Sequence, residues 1–426
     1  MPTSPRVVSI GPFHRDTQNL EAMIQYKWSY MVSFFQQSKD SESSLRSLEA
    51  CINVIYGLDE VIRQCYAEKI NYTEDELAEI MLVDGCFALE LFLRFDRSLN
   101  YIEFEDFESD PVLKSPWMIT ALQHDLVLLE NQIPFFILEL LYDAIRPHVI
   151  KCEPPKSVTS LALKFFQPMS QKSLEKEPVG ADVKHLLDLL YQFYYLPAPA
   201  TGACDLTIDR VSLKQTSSWS PSDDPRATIR SWGFGCCALK LLESGIELQV
   251  GSSTEDQLLE ITFSEGVISI PQQHIHETSS TLLRNLIAFE QCSISSTHGV
   301  TAYAFLMASL MHSWQDINLL TRKKIYRHNW IGGQEYSTQL GNILDKVVAK
   351  NDFYYGTLYN QVNDYRKSYR WSRLQVFLRV QYQRQKGILC ATYFSTTWKV
   401  VSLFVGLTFL LLTTLQTYYT IHPARR

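Results

Sequence analysis

Four acidic residues lie inside apolar stretches of this 426-residue chain, and acids in such surroundings are the first candidates for chemistry. Asp84 and Glu90 fall within LAEIMLVDGCFALELFLRF, and Asp125 and Glu130 fall within DLVLLENQIPFF. Two carboxyl groups brought together can share a proton or bind a metal ion. Alternatively, each acid has a basic partner or a helix-end donor, because an unpaired buried charge is very costly. No spacing in the sequence brings the four acids together, so we favour the second interpretation.

Two histidines and two cysteines are the next candidates. His274 and His276 flank one residue after the segment VISI, so in an extended chain both rings would point the same way and could begin a metal site. Only Glu277 accompanies them at ligand spacing, and we therefore expect a surface pair. Cys236 and Cys237 are adjacent, cannot easily bond to each other, and are expected to be small core residues.

The sequence lacks the common catalytic signatures GxxxxGK[ST], GxGxxG, GxSxG and HExxH. A catalytic triad assembled from distant residues would escape such a search, so an enzyme remains open but is the less favoured class. We predict no catalytic, cofactor-binding or metal-binding residue, and no cofactor.

The composition indicates a folded body, because 46% of the residues are hydrophobic and 20% are charged. The nine cysteines form no CxxC pair, which favours free thiols in a reducing compartment. The first residues include no apolar run long enough for a signal peptide.

Apolar residues at helical spacing predict a mainly α-helical fold. Helices are expected at 19–37, at 44–69, after the capping box formed by Thr73 and Glu76, and after Ser115-Pro116. Pro134 should kink or split this last helix. The opening residues are expected to be extended, with a turn at Gly11-Pro12.

The second half of the body follows a polar stretch at 197–231, which is interpreted as a loop or linker. A short helix should end at Gly245, and three short strands then predict a small antiparallel β-sheet near 246–270. Ser264-Glu265-Gly266 suits its hairpin turn, and helices follow from Glu277 onward. The domain prediction is a helical part at 1–196, this linker, and a helical part with the sheet at 232–357.

The C-terminal part is predicted to contact a membrane. Residues 400–421 carry no charge and are long enough for one transmembrane helix, which predicts a single-pass C-terminal anchor with the body in the cytosol. Ten Lys and Arg and no acid follow Asp364, and eight of the ten lie in the segment 358–399, which is therefore basic; without those ten charges the net charge of −7 becomes −17. Such a segment suits anionic lipids or packing on the body, whereas the acidic body argues against nucleic acid. The candidate lipid contacts are Arg366, Arg370, Arg373, Arg379, Arg384, Lys386 and Lys399.

Asn71-Tyr72-Thr73 is the only N-glycosylation sequon in the chain. It matters only if the body reaches the secretory lumen.

Several long stretches together resemble the plant "domain of unknown function 247" family: VVSIGPFHR, MLVDGCFALELF, DLVLLENQIPFFILELLY, LLRNLIAFEQC and TTLQTYYTI. The resemblance runs in order across nearly the whole chain. It implies a plant-specific protein with a C-terminal membrane segment. Members usually have a further N-terminal stretch before VSIGP, and the approach YFSTTWK lacks the proline that the family tends to have before Trp398.

The resemblance implies recognition rather than a reaction, because no activity is established for the family and some grass members are implicated in self-incompatibility. We therefore expect a membrane-anchored protein that recognises or signals to an unknown protein partner, of a self-incompatibility or defence type. The alternatives are a membrane-tethered hydrolase or metal-dependent enzyme that uses the helix-borne carboxylates, and a membrane scaffold.

Overall fold

The computed structural model describes residues 4–36, 41–99, 110–149, 157–170, 182–195, 236–251, 259–276, 278–293, 298–328, 333–345, 347, 354–368 and 397–421. Most of these residues are helical, as the sequence predicts. The linker expected at 197–231 lies outside the described residues, so the domain boundaries stay predictions. The buried apolar side chains of both halves belong to one continuous hydrophobic cluster.

The first half consists of eight helices among the described residues. They are α1 (Ala22–Phe35), α2 (Ser41–Gly57), α3 (Asp59–Gln64), α4 (Glu74–Leu99), α5 (Pro116–Leu126), α6 (Phe135–Val149), α7 (Val158–Ser170) and α8 (Leu186–Tyr195). The helix expected at 44–69 is thus two helices, and α1 follows a short 3-10 turn at Gln18–Leu20.

Helix α4 is the centre of this half, and α1, α2, α6 and α7 pack around it. Its buried residues follow one another almost without interruption from Leu77 to Phe95, as expected of a helix that is apolar nearly all round. The predicted capping box begins it: the Thr73 hydroxyl accepts a bond from the Glu76 amide at 3.3 Å, and the Thr73 amide donates to the Glu76 carboxylate at 2.8 Å.

The predicted break at Pro134 is present, but α5 ends earlier, at Leu126. Side-chain amides replace the helical donors there: Asn131 Nδ2 donates to the carbonyl of Asp125 at 2.9 Å, and Gln132 Nε2 donates to the carbonyl of Leu126 at 2.7 Å. Residues 127–134 therefore form a turn with its own hydrogen bonds between α5 and α6.

The second half contains further helices and five short strands. They are α9 (Ala238–Glu243), β1 (Glu247–Val250), β2 (Thr262–Ser264), β3 (Val267–Ile270), β4 (Gln273–Ile275), α10 (Ser279–Cys292), α11 (Gly299–Leu310), α12 (Trp314–Arg322), β5 (Tyr326–His328), α13 (Gly333–Leu344) and α14 (Gly356–Ser368).

The first three strands form a mixed sheet of order β1-β3-β2, so the expected purely antiparallel sheet was wrong. The hairpin of β2 and β3 is antiparallel, with Gly266 at φ +84° in its turn, as predicted. Strand β1, however, runs parallel to β3 and pairs Glu247 with Val267. A second, two-stranded parallel sheet joins β4 to β5. The sequence pattern predicted where the strands lie, but it could not predict which strands pair, because some of the pairs are distant in sequence.

The C-terminal helix α15 spans Thr397–Ile421 and includes the uncharged stretch. Among the residues that the structure describes, no helix combines the length and apolarity that crossing a membrane requires. The expectations of a C-terminal transmembrane helix and of a single-pass membrane localisation were therefore wrong. Both expectations were drawn from the length and lack of charge of residues 400–421. This stretch also carries polar hydroxyl groups, and those of Thr413 and Thr417 donate to carbonyls of the preceding turn.

Candidate functional site

The most unusual site of the first half surrounds residues Arg6–Gly11, which we call the strap. The strap crosses the body without pairing as a β-strand, and Val8 and Ile10 are fully buried. A buried main chain must find hydrogen-bond partners, and here side chains distant in sequence supply them. These side chains, from Lys27, Asp84, Asp125 and Asn131, are called the clamp.

Asp125 binds the first part of the strap. Its carboxylate accepts the amide N–H groups of Arg6 at 2.9 Å, Val7 at 2.7 Å and Val8 at 2.9 Å. The side chain is completely buried, and its other contact is His124 Nδ1 at 2.8 Å. Several successive amide donors on one carboxylate help to satisfy a buried negative charge.

Asn131 binds the middle of the strap through one main-chain amide and one carbonyl. Its Oδ1 accepts the N–H of Ile10 at 2.6 Å, and its Nδ2 donates to the carbonyl of Val8 at 3.1 Å. Because Nδ2 also donates to the carbonyl of Asp125, this amide joins the strap to the end of α5.

Asp84 and Lys27 bind the end of the strap. Asp84 accepts the N–H of Gly11 at 2.8 Å and forms an ion pair with Lys27 Nζ at 2.6 Å. Lys27 in turn donates to the carbonyl of Ser9, and both charged side chains are less than a tenth exposed. Gly11 has φ +79°, and a Cβ atom there would lie 2.4 Å from the carbonyl oxygen of Gln132. The predicted turn at Gly11-Pro12 therefore requires glycine.

A second buried network lies farther along α1 and α4. The Arg94 guanidinium pairs with Glu90 at 2.7 Å and with Asp110 at 2.8 Å, and it lies over the ring of Tyr30, 4.2 Å from its centroid. Burial, followed by the charge of Asp110, raises the pKa of Tyr30 well above its usual value. The hydroxyl therefore stays protonated and donates to Asp110 at 2.8 Å. This network joins α1 to α4 and to the segment before α5.

Similar polar contacts hold the second half together. Glu290 of α10 is fully buried and accepts the amides of Val300 at 2.9 Å and Thr301 at 2.8 Å, which caps the first turn of α11 from a different helix. It also accepts the hydroxyl of Tyr191 at 3.0 Å. Asn285 accepts the amide of Leu129 at 2.9 Å and thereby connects α10 to the turn that carries Asn131.

The structure does not assemble the four acids into one site. Asp84, Glu90 and Asp125 each have their own partners, whereas Glu130 is exposed. No described hydrogen bond or ion pair joins any two of them. Within the described part of the chain, no group of three or more His, Cys, Asp or Glu side chains is arranged to hold a metal ion. The interpretation that each buried acid has its own partner is confirmed.

The two histidines are half-buried rather than on the surface. His274 Nε2 lies 3.1 Å from Gln272 Oε1, and burial, followed by the charge of Arg327, lowers the pKa of His274. Burial also lowers the pKa of His276. Cys236 is buried and Cys237 is half-buried; both are free thiols.

The structure describes few of the predicted lipid contacts. Arg366 is half-buried in α14, and its charge opposes the effect of burial, which raises the pKa of Cys236. Of Lys399 only the helical main chain is described, and Asn71 is exposed just before α4. Their roles stay predictions. The remaining five lie outside the described residues: Arg370, Arg373, Arg379, Arg384 and Lys386.

The clamp was missed because its residues were considered one stretch at a time. Lys27 lies four residues after Met23 and four before Met31, so it occupies the apolar side of α1, where a charge needs a partner. That signal pointed to a buried pair with one of the acids in apolar helices. Nothing in the sequence identified Asn131, whose partners in the strap are more than 100 positions away.

The outer face of α1 is apolar and uncharged. Ile24, Trp28 and Val32 follow one another at intervals of four residues and are 44%, 42% and 47% exposed. The other exposed residues of this helix are Ala22, Gln25 and Ser29, and its one charged residue, Lys27, is buried.

Comparison with known proteins places this arrangement in a family. The model of the DUF247 family, described as a plant protein of unknown function, matches residues 3–412. The chain belongs to this family. A UPF0481 protein of Arabidopsis thaliana is 27% identical over 416 residues, which cover 97% of this chain and 81% of that protein. A putative UPF0481 protein of the same plant is 20% identical over an alignment of 491 residues, which covers 97% of this chain and 86% of that protein. No solved structure matches the chain.

Four of the five stretches that carry the DUF247 resemblance contribute residues to the buried contacts. VVSIGPFHR contains the strap from Val7 onward, MLVDGCFALELF contains Asp84 and Glu90, and DLVLLENQIPFFILELLY contains Asp125 and Asn131. LLRNLIAFEQC contains Asn285 and Glu290. In this chain, the stretches therefore hold main-chain segments together.

Proposed function

We propose that this DUF247 protein acts by recognising another protein, and that the outer face of α1 contacts that partner. The observation that carries the proposal is the stripe of Ile24, Trp28 and Val32 on a face without charge. Single exposed apolar residues are ordinary, but three at helical spacing form one continuous ridge.

The chemistry of this face suits the centre of a protein interface. Such centres are depleted of charge and rich in large aromatic residues, and tryptophan is prominent among the residues that dominate binding energy. The partner would present a matching apolar groove of low charge.

The opposite side of α1 supports the proposal because it fixes the helix in place. Lys27, Tyr30 and Ser33 all bond to residues of other elements on that side. A rigid helix loses little conformational entropy when it binds, so its apolar ridge can contribute most of its burial to affinity.

We further propose that the recognition belongs to the self-incompatibility or defence type. Membership of DUF247, a family of unknown function, is compatible with recognition of the self-incompatibility or defence type. The hydrolase alternative draws no support from the site, since Asp84, Glu90 and Asp125 are already bonded to main-chain amides or cations.

Quantitative affinity purification from plant tissue tests the proposal with Trp28→Ala and the matched control Trp117→Ala. Trp117 is 63% exposed and lies on α5. A reproducible set of partners should be lost with Trp28→Ala, because truncating a central tryptophan typically weakens binding by about 2 kcal/mol or more. The same set should remain with Trp117→Ala. If the same set of partners is recovered both with Trp28→Ala and with the double variant Ile24→Ser with Val32→Ser, the outer face of α1 does not bind them.

A further inference from the structure

We propose that a cationic corner in the second half of the chain binds a phosphorylated side chain of a partner protein. The corner is defined by the exposed residues Arg322, Lys324 and Arg327 and by the half-buried Gln272 and His274. It lies where α12 ends and β5 begins, beside β4. None of these residues belongs to α1, so the proposal does not depend on the proposed function.

The corner carries a local excess of positive charge. Residues 317–334 contain four Lys and Arg and no acid, although the whole chain has a net charge of −7. Of the four, Lys323 pairs with Glu247 at 2.7 Å. The other three are the exposed cations of the corner, and none of them forms an ion pair within the part of the chain that the structure describes. Three such cations on an acidic protein form a local site for an anion.

The pairing of β4 with β5 places His274 and Arg327 side by side. The two residues are partners in the register of the parallel strands, so their side chains lie on the same face of the sheet. The neighbouring Ile275 and Tyr326 are buried on the opposite face. After burial, the charge of Arg327 contributes most to the lowered pKa of His274, as expected of a guanidinium close to the ring. Arg327 is therefore presented towards solvent by a strand whose main chain is fixed by its pairing.

Gln272 joins this strand pair to the end of α12. Its Nε2 donates to the carbonyl of Lys324 at 2.7 Å, so its Oε1 faces His274 Nε2 at 3.1 Å. Because an amide oxygen only accepts, His274 carries a proton on Nε2. The other ring nitrogen, Nδ1, makes no hydrogen bond with a described residue and is left for a ligand. The side chain of Gln272 thus holds the main chain of Lys324 and the ring of His274 in one arrangement.

Lys324 occupies a position where helices usually have glycine. Its amide donates to the carbonyl of Thr321 at 3.0 Å, and the amide of Ile325 donates to the carbonyl of Leu320 at 3.0 Å, which is the pattern of a Schellman motif at the end of α12. The motif requires a left-handed residue, and Lys324 has φ +60°. Glycine adopts this conformation without strain, whereas a residue with a Cβ does not. Strained residues cluster at functional sites, and here the strain accompanies a cation at the corner.

The charge of the corner matches a phosphoryl group. A phosphorylated Ser, Thr or Tyr carries a charge of about −1.5 to −2, so one such group offsets most of the excess of the three cations. Two of the three are arginines, whose planar guanidinium groups bind phosphate oxygens through two parallel hydrogen bonds. A carboxylate brings a single negative charge and would leave most of the excess uncompensated. The chemistry therefore favours a phosphorylated segment of another protein.

Two other anionic surfaces fit the corner less well. Binding to a nucleic acid rests on a row of phosphate contacts, commonly about 6–10, which is more than three cations supply. Anionic membranes attract clusters of about 4–8 Lys and Arg, and the net charge of −7 opposes the approach of this protein to such a surface. A single phosphoryl group needs only the cations that the corner has.

The experiment measures the binding of peptide pools to the purified full chain by fluorescence anisotropy. The probes are fluorescent short peptides with randomised flanks and a central phosphoserine, phosphothreonine or phosphotyrosine, and the reference pool has serine at the centre. The variants are Arg327→Gln and Lys324→Gly. The matched control is Lys69→Gln, which removes the charge of an exposed lysine in the first half.

At least one phosphorylated pool should bind about tenfold more tightly than the serine pool. Arg327→Gln and Lys324→Gly should each weaken this binding about tenfold, because each removes a charge-assisted contact with the phosphate. Lys69→Gln should leave it unchanged. Lys324→Gly should also keep or raise the Tm, since glycine suits the left-handed conformation, and the loss of binding then has no origin in unfolding.

Two results would overturn the proposal. One is that no phosphorylated pool binds more tightly than the serine pool. The other is tighter binding that both corner variants leave unchanged, since the phosphate would then be held elsewhere. Vesicles of equimolar phosphatidylserine and phosphatidylcholine, and a single-stranded oligonucleotide, serve as competing probes. If either binds through Arg327 and Lys324 while the phosphorylated pools do not, the corner binds a membrane or a nucleic acid and the proposal is wrong.

Discussion

The two faces of α1 differ in how they use their exceptional residues: three polar side chains lie on the mostly apolar inner face, and three large apolar side chains lie on the outer face. Lys27, Tyr30 and Ser33 point inward and bond to Asp84, Asp110 and Glu90 on other elements, among buried apolar neighbours. Ile24, Trp28 and Val32 point outward and are nearly half exposed. The inward polar groups have specific partners at fixed distances and determine how α1 lies on α4. The outward apolar groups are the ones that we propose to contact a partner.

A buried ion pair does not by itself make a protein more stable than an apolar pair of the same shape would. Here the ion pair instead favours one arrangement of the chain over others, because Lys27 and Asp84 each also bond to the strap. A register in which α1 moved by one turn would leave both charges without partners. The inward face therefore specifies one arrangement of strap, α1 and α4.

The largest predicted effect comes from breaking that pair. Asp84→Ala leaves Lys27 buried without its counter-ion and Gly11 without its acceptor, and should lower the free energy of unfolding by about 3–5 kcal/mol. Urea denaturation measures the change. The double variant Lys27→Met with Asp84→Leu should recover much of the loss, because no uncompensated charge remains. A double variant as unstable as Asp84→Ala would show that the pair matters for reasons other than charge.

The next effect tests the fit of the strap. Gly11→Ala should lower the free energy of unfolding by about 2–4 kcal/mol, since alanine at positive φ is strained and its Cβ meets a carbonyl oxygen. The matched control is Gly341→Ala in α13, where a Cβ meets nothing within 4 Å. Alanine there should stabilise the protein by up to about 1 kcal/mol, because it is the better helix former. Equal effects of the two substitutions would contradict the described strap geometry.

A half-buried histidine outside α1 makes a prediction about pH. His185 Nδ1 accepts the amide of Asp188 at 3.1 Å, and burial lowers the pKa of His185 to about 4. The unfolded chain takes up this proton near pH 6.5, before the folded chain does. The contribution of His185 to stability is therefore complete above pH 6.5 and is lost as the pH falls towards 4.

His185→Asn should reduce the acid sensitivity, because asparagine can accept the same amide but does not titrate. Between pH 6.5 and 4 the wild-type protein should lose about 1–3 kcal/mol more than the variant. Thermal unfolding at several pH values gives this difference. Parallel pH profiles for the two proteins would mean that folding does not lower the pKa of His185, which contradicts the prediction.

The smallest effect on stability is expected on the outer face. Trp28→Ala should change the free energy of unfolding by about 0.5 kcal/mol or less, as substitutions away from buried contacts do. Tyr30→Phe, two positions away on the inward face, should cost about 1.5–3 kcal/mol because Asp110 loses its hydroxyl donor. If Trp28→Ala proved as destabilising as Tyr30→Phe, the outer face would be structural rather than available for recognition.

Local patterns predicted the local features. The capping box at Thr73 and Glu76, the break at Pro134 and the hairpin turn at Gly266 all follow from a few neighbouring residues, and the structure contains each of them. The interpretation of the buried acids as individually partnered also follows from local reasoning, since an unpaired charge in an apolar helix is too costly.

The clamp and the sheet order could not be predicted in this way, because they depend on residues far apart in the chain. Asn131 and Ile10 are 121 positions apart, and no local pattern connects them. The same holds for β1, which pairs with β3 rather than with the strand that follows it. The C-terminal anchor failed for a different reason: it was inferred from the length and lack of charge of residues 400–421 alone, and the described residues contain no helix long and apolar enough to cross a membrane.

Native-state hydrogen exchange of the strap amides tests the central claim most directly. The amides of Val7, Val8, Ile10 and Gly11 belong to no helix or strand, yet each donates to a buried side chain. They should exchange as slowly as the amides in the middle of α4, because both open only when the first half unfolds. Exchange at the rate of the exposed turn around Asp16 would contradict the account, since the clamp would then not hold the strap.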